Sequence, residues 1–169
     1  VTEQTGETKS GEERLKDALL EFVGVVGTAL EDICSYGLTI GEAYVPFNPD
    51  EDDECDDDEA MCSQVWVRVA GVSPLPNGAE GWGGDPCAVS FQMDLEVGVI
   101  RCVEIPEDGE APTAMEVTVA GLQALEDMNT LQCAAMECEV WESITIGSWV
   151  PLGPLGGQYG GVWTFTVEL

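Results

Sequence analysis

The stretch CAVSFQMDLEVGVIRCVEI, residues 87–105, has a period of two. Val89, Phe91, Met93, Leu95, Val97 and Val99 fall on one side of an extended chain, and Ser90, Gln92, Asp94 and Glu96 on the other. Successive side chains of a strand point to opposite faces, so this is a long strand with one buried face, the centre of a sheet. Upstream, SQVWVRVAGV (63–72) sets Val65, Val67 and Val69 against Trp66 and Arg68, a second strand. GLTIGEAYVPF (37–47) reads as an extended segment ending at Pro46. At the C-terminus, ITIGSWVPLGPLGGQYGGVWTFTVEL (144–169) reads as a β-hairpin, with strands near 146–153 and 162–168 around a glycine-rich turn. Alternation in the last strand turns Trp163, Phe165 and Val167 inward and Val162, Thr164 and Thr166 outward.

Two segments carry a helical period instead. EERLKDALLEFVGVVGTALEDI (12–33) places Leu15, Ala18, Leu19, Phe22, Val26, Ala29, Leu30 and Ile33 at three- and four-residue steps. Ser10 and Glu13 form a capping box for it, and close packing against the sheet is the expected compensation for Gly24 and Gly27. AMEVTVAGLQALEDMNTLQCAAMECEVWE (114–142) carries Met115, Val119, Leu122, Leu125, Met128, Leu131, Ala135 and Met136 on one stripe, capped by Thr113 with Glu116. Strands interrupted by helices predict an α+β fold, a mainly antiparallel sheet with two helices on one face. At 169 residues one domain over 11–169 is expected, preceded by a flexible 1–10 and carrying an acidic loop at 48–62.

The chain has 33 acidic residues against five basic ones and no histidine, a formal charge of −28. Lys9, Arg14, Lys16, Arg68 and Arg101 are scattered, so phosphate contacts have no basic stripe to use and sequence-specific DNA binding is not expected. No apolar run has the ~18 residues of a membrane span, and the polar start lacks the pattern of a signal peptide. The expectation is a soluble chain, made in the cytoplasm, with no membrane partner.

The acidic run DEDDECDDDE (50–59) has nine carboxylates in ten positions. Asp50, Asp52, Glu54, Asp56 and Asp58 are candidate cation ligands at alternate positions. The calcium-loop pattern fails, because Cys55 stands where that loop needs glycine and Met61 where it needs a bidentate glutamate. A solvated loop is the leading reading, ahead of loose Ca²⁺ or Mg²⁺ binding and of a docking role. Without histidine, a nucleophile elbow or a phosphate loop, no catalytic residues and no cofactor site are assigned, and an enzyme is not expected. Carboxylate pairs mean little in so acidic a chain. Of the seven cysteines, Cys102, Cys133 and Cys138 read as small buried apolar residues. A Cys55–Cys62 or Cys62–Cys87 bridge is conceivable outside a reducing compartment. Trp82, in a loop of Gly and Pro, is a candidate subunit or partner contact, unless it folds back on the sheet.

CAVSFQMDLEVGVIRCV, QALEDMNTLQCAAMECEVW and WVPLGPLGGQYGGVWTFTVEL together resemble the head-to-tail connector proteins of long-tailed, siphovirus-type phages of actinobacteria, in particular tail terminators. The resemblance spans residues 64–169 and is strongest in GGQYGGVWTF, where Tyr159 and Trp163 join Trp82 as contact candidates. It implies a compact subunit of a hexameric ring in the virion neck, assembled in the host cytoplasm. Such a ring caps the tail tube, meets the major tail tube protein on one side and a head connector or stopper on the other, and lets DNA pass unbound. Another neck component (stopper or adaptor) and a secreted, disulfide-containing, cation-binding module are the alternatives.

Overall fold

A computed structural model describes residues 11–41, 63–75, 90–102, 111–155 and 157–169. In chain order the elements are helix α1 (Gly11–Gly27), strands β1 (Ser35–Ile40), β2 (Gln64–Pro74) and β3 (Phe91–Cys102), helix α2 (Ala114–Glu137), and strands β4 (Ser143–Leu155) and β5 (Gln158–Glu168). Among the described residues the strands form one sheet of five in the order β1-β2-β3-β5-β4. Three of its junctions are antiparallel, and β1 lies parallel to β2. Among the described residues the fold is thus α+β, with a mixed, mainly antiparallel sheet and two helices. A parallel neighbour needs a long crossover, and residues 42–62, which contain the acidic run, connect β1 to β2.

One sheet face holds the core. Val65, Val67 and Val69 of β2, Met93, Leu95, Val97 and Val99 of β3, and Trp163, Phe165 and Val167 of β5 are buried there, as their alternation requires. Both helices cover this face: α1 contributes Phe22 and Val26, α2 contributes Leu131 and Ala135, and the Trp141 ring meets Phe22 edge-on at 5.5 Å. The opposite face is largely polar. Arg68 forms a two-point ion pair with its cross-strand partner Glu96, and Thr166 donates to Asp94 at 3.0 Å. Trp66 is buried on this face, its indole ring where Gly98 leaves room for it, and Ile100, Val150 and Val162 are further apolar residues there.

Helix α1 stops at Gly27, short of the expected Ile33. The Tyr36 ring of β1 occupies the space a side chain at residue 27 would take, so the close approach foreseen for this glycine is real, whereas Gly24 faces open space. The chain then turns through Asp32, at φ 59, into β1. At the other end of the sheet order, the β4–β5 hairpin begins earlier and is tighter than expected. Leu155 pairs with Gln158 across a turn containing Gly157 at φ 81. Strand β4 forms an outer edge, but its register shifts between Ile146 and Trp149 and again between Leu152 and Leu155, and Pro151 has no N–H to offer a neighbouring strand.

Candidate functional site

Thr113 caps α2 as predicted: its hydroxyl accepts from the Glu116 N–H, and the Glu116 carboxylate accepts from the Thr113 N–H at 2.6 Å. The backbone N–H of Thr113 first, and its hydroxyl second, hold the Glu116 carboxyl below its ordinary value. The helix is only half covered. Beyond Met128, Leu131 and Ala135 pack into the core, and the Trp163 indole N–H donates to the Met128 carbonyl at 2.8 Å, pinning the helix to β5. Before it, Met115 is 72% exposed, and Val119, Leu122 and Leu125 are also exposed. The residues predicted as a single stripe from Met115 to Met136 therefore do not share one face: at 100° per residue Met115, Val119 and Leu122 lie about half a turn from Met128, Leu131 and Ala135. The C-terminal part is core, apart from exposed Met136, and the N-terminal part lies in water.

A groove of about 440 Å³ opens between this uncovered half and the hairpin. Val117, Ala120 and Ala124 line the helix side. Trp149, Leu152 and Tyr159 line the hairpin side. In a chain with 33 acids, residues 117–125 and 143–167 contain no charged residue. Monomeric proteins rarely leave contiguous apolar surface beyond a few hundred Å² in water, and larger patches mark interaction sites.

Beside the groove lies a polar cluster. Arg101 continues the buried face of β3 and meets Asp127 of α2, which is 1% exposed, through two hydrogen bonds of 2.7 and 3.0 Å. It also donates to the Glu31 carbonyl, and Gln123 donates to Asp127 at 3.2 Å. Burial pulls the Arg101 pKa down, but the hydrogen bonds and charge of Asp127, helped by Tyr159 and Asp32, outweigh it and leave the pKa raised. Tyr159 stands between cluster and groove, its phenol pushed up by burial and held back by Arg101. The Arg101 guanidinium is engaged by protein on these sides, so the cluster reads as a clamp joining β3, α2 and the α1–β1 turn. Neither Arg101 nor Asp127 was singled out in sequence. The signal was there: each puts a charge on an otherwise apolar face, and opposite charges on facing apolar surfaces pair.

Of the three contact candidates, Tyr159 is half-buried in the groove wall. Trp163 is only 9% exposed, its ring packed against Trp149 at 5.7 Å and Phe165 at 6.2 Å, so it is a core residue and offers a partner little surface. Trp82 lies outside the described residues, as do Asp50, Asp52, Glu54, Asp56 and Asp58, Ser10, and Cys55, Cys62 and Cys87. Among the described residues no cluster of Cys, Asp and Glu is arranged to hold a metal ion, and no helix is long and apolar enough to cross a membrane. Of the three cysteines read as small buried residues, Cys138 is as expected and the other two need correction. Cys138 is buried, and burial pushes its thiol pKa up. Cys133 is exposed, because its helical position points away from the face of Leu131 and Ala135. Cys102, like Cys34, is disulfide-bonded, so it is not the plain apolar strand residue its pattern suggested. No model of a known protein family matches the chain, and no curated protein sequence matches it.

Proposed function

We propose that this chain is a non-enzymatic structural subunit of the neck of a long-tailed bacteriophage, a tail terminator, which associates with copies of itself into a ring. The observation that carries the reading is the charge-free apolar surface of α2 and the hairpin, left open on a chain of formal charge −28. Such a surface suits permanent assembly, and the blunted β4 edge directs association to the helix instead of to strand pairing. The resemblance supplies the rest: six copies, a tail tube protein below, a head-side connector above. The charge distribution supports a DNA conduit. Every lysine and arginine among the described residues is ion-paired, Arg14 with Glu142, Lys16 with Glu12, Arg68 with Glu96 and Arg101 with Asp127. The outward field is then that of the surplus carboxylates, which repel phosphate. Negative-stain images and light scattering of the purified protein, alone and with tail tube protein, test the reading. Rings support it; a strictly monomeric mass at high concentration in both samples overturns it.

Disulfide bonding of Cys34 and Cys102 favours a second reading, a secreted binding module, since such bonds persist in oxidising surroundings. They also persist at virion surfaces, so they do not oppose the first. Thiol counting on freshly purified, cytosol-expressed protein separates the two: retained disulfides without rings select the module, and rings with free thiols select the neck protein.

A further inference from the structure

The uncovered half of α2 has two apolar sides. At 100° per residue, Val117, Ala120 and Ala124 cluster on the side that walls the groove, whereas Met115, Val119 and Leu122 cluster about half a turn away and stand in solvent. Glu116, Thr118 and Gln123 fall between them, so the helix shows two separate apolar faces, and an apolar helix face is normally a covered one. One side is concave with the hairpin; the other is a convex ridge.

Resting on the ring reading above, we infer that the ridge of Met115, Val119 and Leu122 on one copy seats in the α2–hairpin groove of the next, so that copies join head to tail. Charge selects a second copy as the occupant. Two chains of −28 repel wherever carboxylates face each other, and the uncharged segments 117–125 and 143–167 give them a surface on which to meet. A cationic partner would gain most on the acidic remainder of the surface and nothing from a neutral groove. The geometry selects the mode of contact. Because ridge and groove point in opposite directions, a copy that fills its neighbour's groove leaves its own open for a third, the heterologous arrangement that gives a ring when the rotation between copies closes and a filament when it does not. Two-fold pairing would instead set ridge against ridge.

The test uses the full chain with Cys133→Ser, which removes the thiol exposed among the described residues, and two single variants on that background, Val119→Cys on the ridge and Leu152→Cys on the groove wall. Mixed and mildly oxidised, the two should give a covalent dimer that neither gives alone. Cross-linking of Val119→Cys by itself, as strong as in the mixture, overturns the head-to-tail mode. No cross-link while light scattering shows assembly intact overturns the contact but leaves the ring reading standing. Monomers throughout, including the unmodified chain with tail tube protein, remove the ring reading and this inference with it. As a second measurement, Leu122→Glu should weaken association at least ~100-fold, since it forces an unpaired carboxylate into an apolar groove, with the monomer's melting unchanged. Undiminished assembly of Leu122→Glu also overturns the proposal.

Discussion

Arg101 and Asp127 show how one residue pair fixes the relation between elements. Removing one member of a buried pair leaves the other charge without compensation, so Asp127→Ala should cost about 3–5 kcal/mol in urea denaturation. Replacing both with leucine should recover only part of the loss, because Glu31, Asp32, Gln123, Glu126 and Thr130 line the same pocket and would face the new apolar side chains. Phe165, 1% exposed at the centre of β5, sets a second expectation. Phe165→Ala should cost ~3–5 kcal/mol, and Thr164→Ala on the opposite face under ~1 kcal/mol, since its hydroxyl contacts with Ser148 are exposed. Thermal melts of the two variants check the strand's facing, and a larger loss for Thr164→Ala would reverse it. The faces of β2, β3 and β5 were legible because burial on one side imposes a period of two over many residues. The Arg101–Asp127 clamp was harder to read, since which strand position lies under which helical position depends on tertiary placement.

At the scale of elements, α1 offers a paired test. Gly24→Ala should stabilise by up to ~1 kcal/mol because the helix gains propensity and the new methyl meets open space. Gly27→Ala should destabilise, because its methyl would fall on the Tyr36 ring. Sequence marked both glycines alike, and only the crossing of α1 over β1 distinguishes them. The cap of α2 was readable from Thr113 and Glu116 alone, being local chemistry. Its carboxyl is held below the ordinary 4.5, so its contribution is complete above that value and disappears as pH falls through the lower folded one. Between about pH 5 and about pH 3 the stability of Glu116→Gln should therefore fall less than that of the unmodified chain in denaturant titrations. The extent of α2 was legible too, but not how much of it the sheet covers. A helical stripe records only that a side is apolar, whether its cover comes from the same chain or another.

Whole-molecule behaviour follows from the separation of charge and apolar surface. If assembly used surface ion pairs, salt would weaken it; here salt should strengthen it, by screening repulsion among chains of −28 while leaving a neutral contact intact. Sedimentation at low and moderate NaCl reads the sign directly. Asn at Asp52, Asp53, Asp56 and Asp57 should act in the same direction as salt, leaving stability equal or raised. Disulfide bonding of Cys34 and Cys102 should make reductant lower the melting temperature, with a loss on the order of 2–5 kcal/mol for a native bridge. The half-covered α2 has a temporal consequence as well. Its Met128–Glu137 portion shares the cooperativity of the core, whereas residues 114–125 hold their helix by the cap and local propensity alone, and short unsupported helices are marginal in water. In the free subunit the amides of 117–125 should exchange with deuterium orders of magnitude faster than those of 131–135, and assembly should slow the first group alone, so that one helix carries its own clock for the moment its neighbour arrives.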